Sequence, residues 1–164
     1  MILGLSTSTY TLIHVLISLA GIVSGFAVVF GMLAGRWLNG TNVVFLVTTI
    51  ATSVTGFGFP IHEIGPPHIL GGLSLIVLAI ALVARYRHRL AGRARKVYAI
   101  SAIVALYFNV FVLVVQAFQK VASLHALAPT QKEPPFAIAQ GAVLLLFIIL
   151  GVMSTKRFRT LEIA

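Results

Sequence analysis

The sequence predicts an all-α integral membrane protein: a bundle of about five transmembrane helices, with its N-terminus outside and its C-terminus in the cytoplasm. Three observations predict this. Hydrophobic residues make up 59% of the 164-residue chain and charged residues only 9%, whereas a soluble domain carries about 25% charged residues to solvate its surface. The acids number three, Glu63, Glu133 and Glu162, too few to keep a water-facing globule of this size in solution, so the apolar atoms face lipid. The basic residues sit beside long charge-free apolar runs, the pattern of membrane-protein loops.

Each expected span follows from the need for about 20 mostly apolar residues to cross the hydrocarbon core as a helix. The charge-free segments are residues 10–34, 43–59, 67–84, 97–118 and 136–154, all within one membrane domain covering residues 1–164. Pro66-Pro67 and Pro134-Pro135 suit the first turns of the third and fifth helices, where the missing N–H costs no hydrogen bond. Asn39-Gly40 reads as the turn between the first two helices. The second and third segments are the shortest, so a four-helix arrangement with one of them re-entrant is the structural alternative. No Lys or Arg precedes Arg36, and the first segment is too long for the apolar region of a signal peptide; it reads as a retained helix.

Orientation follows from the excess of bases on the cytoplasmic side. The loop after the third segment holds Arg85, Arg87, Arg89, Arg93, Arg95 and Lys96. Placing it in the cytoplasm also places Arg36, Lys156, Arg157 and Arg159 there, and leaves Lys120 and Lys132 outside. These bases fix topology and attract anionic lipid head groups. Trp37, Tyr86 and Tyr98 fit an interfacial aromatic belt on the same side. The expected location is the bacterial inner membrane. The net charge of +9 is explained by these loops rather than by a nucleic-acid groove, so no nucleic-acid partner is expected. Absence of cysteine excludes disulfides and thiolate metal sites.

Lipid gives helices no hydrophobic reason to associate, so small residues and interior polar groups mark the packing faces. Gly21 and Gly25, with Ser18, form one such face, and Gly31 and Gly35 repeat the spacing. Thr48, Thr52 and Thr55 share a stripe of the second helix, with hydroxyls expected to bond their own backbone. Ser101, Ala105, Asn109 and Gln116 share a stripe of the fourth, with Gln119 nearby. Asn109 and Gln116 are expected as the polar interior; an amide near mid-span needs a protein partner.

Topology gathers four of the five histidines. His14, His62, His68 and His125 fall on the outer side with Glu63, while His88 lies among the cytoplasmic arginines. The segment Phe59-Pro60-Ile61-His62-Glu63-Ile64-Gly65-Pro66-Pro67-His68 is stiffened by its prolines. Imidazoles with a carboxylate suit a divalent metal. His14 with His68 suits the axial ligation of a haem b. A titratable His/Glu pair at the rim also suits a quinone head group. The plainer reading is that rim histidines are simply hydrated, and the His62–His68 spacing is neither HExxH nor a zinc-finger spacing. Two functional readings follow. One is a small accessory or structural subunit packing against other subunits of a larger membrane complex. The other is a redox or metal-handling protein binding haem, metal or quinone at the outer cluster. A transporter fits less well, because the chain is short, without a repeat, and without an intramembrane charge beyond the rim His14.

Overall fold

The computed structural model describes residue 2, residues 4–59 and residues 66–158, apart from the side chains of residues 66 and 67. Its helices are α1 (Thr7–Leu33), α2 (Asn39–Gly56), α3 (Pro66–Leu82), α4 (Arg93–Lys120), the short α5 (Ala122–Leu127) and α6 (Pro134–Phe158). A π turn, Val83–Arg87, extends α3. Among the described residues there is no β-strand, only an isolated bridge between Ile2 and Leu5. Among the described residues, four helices are long and apolar enough to cross a membrane: α1, α3 with its π turn, α4 and α6. The chain is therefore built as a multi-pass membrane protein. α2 is less apolar, with five threonines, a serine and two asparagines among its 18 residues.

Local chemistry sets the ends of the helices. The Ser6 hydroxyl caps α1 by accepting from the Thr9 N–H at 3.1 Å. At the other end, Gly35 adopts φ +68°, while Arg36 N–H donates to Gly31 O at 2.8 Å and Gly35 N–H to Met32 O at 3.3 Å. This paired closure satisfies the last carbonyls and needs a residue without Cβ at the left-handed position. Two expectations are corrected here. The turn between α1 and α2 lies at this glycine, and Asn39-Gly40 are the first residues of α2; the Asn42 side chain donates to Leu38 O at 2.8 Å and holds that first turn. Gly31 and Gly35 end α1 rather than marking a face between helices. A Cβ on Gly31 would meet Leu38 and the Arg36 carbonyl of the same connection.

α1 and α4 occupy the middle of the bundle. α2 packs against α1 and α3, α3 against α2 and α4, and α6 against α4 and α1. The core between them comprises Val28, Met32, Phe45, Leu46, Leu78, Ala102, Leu106 and Phe147, among others. Gly21 and Gly25 let α1 come close to α2 and α4. A Cβ on Gly25 would come within 2.6 Å of Leu106 Cδ1 on α4 and 2.9 Å of Phe45 Cε2 on α2. The hydroxyls of α2 largely bond backward along the helix: Thr48 to Val44 O at 2.7 Å, Ser53 to Thr49 O at 2.9 Å and Thr55 to Ala51 O at 2.7 Å. Such bonds satisfy donors within the helix; the Thr49 and Thr52 hydroxyls, by contrast, are enclosed without a hydrogen-bond partner, so Thr52 departs from the expected bond to its own backbone.

Candidate functional site

The helices carry the functional side chains to two ends of the bundle, one rich in histidine and aromatic rings, the other in bases. The histidine end is organised by the last turn of α2. Tyr10 and His14 lie one turn apart on α1 and both reach Thr55. The Tyr10 hydroxyl donates to Thr55 O at 2.8 Å, and His14 Nδ1 lies 2.8 Å from Thr55 Oγ1. Thr55 has a single hydroxyl proton, which goes to Ala51 O. With that proton on Ala51 O, the oxygen accepts from His14, an arrangement in which Nδ1 carries the proton and Nε2 holds a lone pair.

Aromatic rings wall this end. Phe59 meets His14 edge-on, with centroids 5.2 Å apart, and Tyr10 likewise at 5.1 Å. His68, in the first turn of α3, packs on Phe57 from α2 with centroids 6.0 Å apart. His14 and His68 thus both meet the C-terminal end of α2, one through Thr55 and Phe59, the other through Phe57. His125 is exposed on α5. His62 and Glu63 lie outside the described residues. Among the described residues, no three His, Cys, Asp or Glu side chains converge on a point that could hold a metal ion. Tyr10 is not singled out by the sequence, and Thr55 and Phe59 enter there only as a stripe hydroxyl and the first residue of the outer segment, not as partners of His14. The four-residue spacing of Tyr10 and His14 was the signal that could have found Tyr10.

Nearby, Glu133 closes the entry to α6 by accepting from Thr130 Oγ1 at 2.8 Å, Thr130 N–H at 3.2 Å and Lys132 N–H at 3.0 Å. Partial removal from water is the largest single influence and raises its pKa; the hydrogen bonds together outweigh it and hold the carboxyl below its ordinary value.

At the basic end, Arg85 departs from expectation. It was grouped with the loop cations that meet head groups, yet it is only 7% exposed. Its Nη2 donates to Asn39 Oδ1 at 2.7 Å, and its guanidinium lies over the rings of Trp37 at 5.4 Å and Tyr86 at 5.0 Å. Arg85 therefore ties the end of α3 to the start of α2. Tyr98 donates to Asn42 Oδ1, and Trp37 stacks on Phe158 with centroids 5.4 Å apart. Tyr98 is fully buried and Trp37 half-buried, so of the three expected belt aromatics only Tyr86 faces outward. Arg87, Arg89, Arg93 and Lys96 are exposed, and Arg95, half-buried, donates through Nε to Leu90 O at 2.9 Å.

The interior amides divide differently from the sequence reading. Asn109 is half-buried, its Nδ2 enclosed without a hydrogen-bond acceptor beside Gly21 and the hydroxyls of Thr48 and Thr49. Gln116 is exposed: it stands on the open side of α4, although Phe118 in the same turn is buried. Gln140 on α6 crosses to α4, donating to Phe111 O at 3.2 Å, as Asn42 on α2 does in accepting from Tyr98. The chain matches no described protein family, no characterised protein and no solved structure.

Proposed function

We propose that this is a five-span protein of the bacterial inner membrane, N-terminus outside, whose histidine end binds a membrane-soluble redox group, a quinone-type head or a haem b. The observation that carries the reading is the state of His14. Its Nδ1 lies 2.8 Å from Thr55 Oγ1, and with the Thr55 proton on Ala51 O Nδ1 donates to Thr55 and Nε2 keeps a lone pair at an aromatic-walled rim. Such a nitrogen accepts a hydrogen bond from a quinol hydroxyl or ligates haem iron, and a hydrogen bond on the opposite ring nitrogen is the usual way to orient it. His68 on the other flank of α2 is the second candidate partner for the same group.

The five-span topology treats α2 as a crossing helix. Its 18 residues rise about 27 Å at 1.5 Å each, close to the thickness of the hydrocarbon core of roughly 30 Å. An odd number of crossings then puts Arg36, the Arg85–Lys96 bases, Lys156 and Arg157 on the cytoplasmic side, as their excess requires. A periplasmic reporter fused after Thr130 should be active and one fused after Ala91 silent; the reverse would overturn the orientation.

The ligand is tested on protein purified in mild detergent, by absorption spectra with and without dithionite, chromatographic assay of extracted quinone, and metal analysis. Stoichiometric haem or quinone that is lost in His14→Ala supports the reading. Its absence from wild-type protein, or its retention in His14→Ala, sinks it. The accessory-subunit reading is favoured by a different observation. α6 keeps Ile138, Leu144, Leu145, Ile148 and Val152 exposed around it, a surface fit for another transmembrane helix as well as for lipid. Copurification of a larger partner lost in Leu145→Trp would support that alternative.

A further inference from the structure

On the basic end, outside the bundle, a groove of about 600 Å³ lies between the end of α3 with its π turn and the first turns of α4. Its volume falls within the range of ligand pockets, about 300–1,000 Å³. Ile80, Val83, Ala94 and Val97 form apolar walls, and His88 and Arg93 stand among its lining residues at the loop end. Ile80 is 45% exposed, Val83 51% and Val97 41%. These residues belong to helices apolar enough to cross a membrane, so the groove opens toward lipid. An occupant must therefore carry a long apolar part and a polar end.

The charge of that end follows from the loop end of the groove. Arg93 is the first residue of α4, which begins at Gly92 without a side-chain cap and without an acid in its first turn. The Ala94 N–H of that turn already donates to Ala91 O at 3.0 Å, but its other amides and the positive end of the helix dipole add to the Arg93 charge. The π turn contributes His88. Ser74, Leu78, Ala81 and Arg85 form the buried stripe of α3 and its extension, and an unbroken α-helix would carry His88 onto it next. Instead His88 N–H bonds Val83 O, five residues back, Leu90 takes the buried place, and His88 stays exposed at the groove.

We propose that this groove is a specific site for an anionic phospholipid, with an acyl chain along Ile80, Val83 and Val97 and its phosphate between Arg93, His88 and the first amides of α4. Basic pockets between transmembrane helices recognise anionic head groups by this combination. The site lies at the end opposite His14 and stands or falls independently of the redox reading.

The test is native mass spectrometry of the full chain released from micelles holding equal amounts of phosphatidylglycerol and phosphatidylcholine. Wild-type protein should retain phosphatidylglycerol at least fivefold over phosphatidylcholine. Arg93→Ala with His88→Ala should bring the ratio near one, and Ile80→Trp should reduce retention of both lipids by filling the groove. Arg36→Ala, which alters a base outside the groove, should leave the ratio unchanged. All the substituted residues but Ile80 are exposed charged or polar side chains, and gel filtration checks the fold of each variant. Equal retention of the two lipids by wild-type protein would overturn the proposal. So would an unchanged ratio in Arg93→Ala with His88→Ala, an equal loss in Arg36→Ala, or displacement by millimolar inorganic phosphate, which would mean that the acyl chain is not recognised.

Discussion

Replacing Gly25 by alanine tests the packing at the middle of the bundle with one methyl group. The added Cβ would lie 2.6 Å from Leu106 Cδ1 and 2.9 and 3.0 Å from the Phe45 ring atoms Cε2 and Cδ2. Carbon atoms pack best about 3.5–4.0 Å apart, so the shortfall is about an ångström against Leu106 and at least half that against Phe45. Neither neighbour has room to retreat, since Leu106 is 0% exposed and Phe45 1%. α1 must then draw back from α2 and α4. Overpacking of this kind costs about 1–3 kcal/mol, and replacing a mid-helix glycine by alanine returns about 0.5–1 kcal/mol. The expected net loss is about 1–2 kcal/mol. Gly72 is the control. It sits mid-helix in α3 with nothing within 4 Å of its Cβ position, so Gly72→Ala should gain about 0.5–1 kcal/mol. The two substitutions should differ by about 2 kcal/mol, roughly thirtyfold in the folding equilibrium. Unfolding by SDS in mixed micelles, followed by far-UV circular dichroism, measures both. The double variant Gly25→Ala with Leu106→Ala should lose less than the sum of its parts, because the closer of the two clashes has been removed. The packing account fails if Gly25→Ala proves as stable as Gly72→Ala, or if the double variant is strictly additive.

Three further outcomes are expected. Arg85→Lys keeps the charge but loses the Nη2 hydrogen bond to Asn39 and the ring contacts, and should cost about 1.5–3 kcal/mol; Trp37, the chain's single tryptophan, reports the change by its fluorescence, and an unaltered spectrum and stability would contradict the contact. Thr55→Val removes the acceptor for His14 Nδ1–H, so the nitrogen-15 spectrum of the ring should lose its pure Nδ1–H signature, whereas an unchanged tautomer would show that something else fixes it. The lowered pKa of Glu133 means that its hydrogen bonds support the loop above the ordinary carboxyl value of 4.5 and are lost as pH falls through the lower folded value; amide exchange at Thr130 and Lys132, corrected for intrinsic rates, should accelerate on that descent, and Glu133→Gln should abolish the step.

Much of the helical layout is legible in the sequence because charge and proline interrupt it. The segments 10–34, 97–118 and 136–154 differ from α1, α4 and α6 by a turn or so at most, since Arg36, Lys120 and Pro134 stand at their borders. The start of α2 was not legible. Asn39-Gly40 carries a turn signature, and only Arg85, 46 residues on, turns Asn39 into a helix-end acceptor. The π turn and the burial of Arg85 escaped for the same reason: an arginine among five other bases looks solvated until the rings of Trp37 and Tyr86 are in place around it. The histidine end was visible as residue types on one side of a topology. Its working detail, the proton committed to Thr55, depends on a contact between residues 41 apart in sequence that no local pattern encodes.

If α2 crosses the membrane, as the proposed five-span topology has it, its polar character has a consequence for how the chain is made. A nascent helix leaves the translocation machinery for lipid when its own apolarity outweighs the cost of its polar groups. α2 carries eight hydroxyl and amide side chains in 18 residues and gains little by that route alone. What favours it is α1, already synthesised and offering Gly21 and Gly25 as a close-fitting surface. The two helices would then enter the bilayer as a hairpin, and a chain whose first helix is swapped for an unrelated apolar sequence should leave α2 stranded at the ribosome-bound channel, a substrate for quality-control proteolysis.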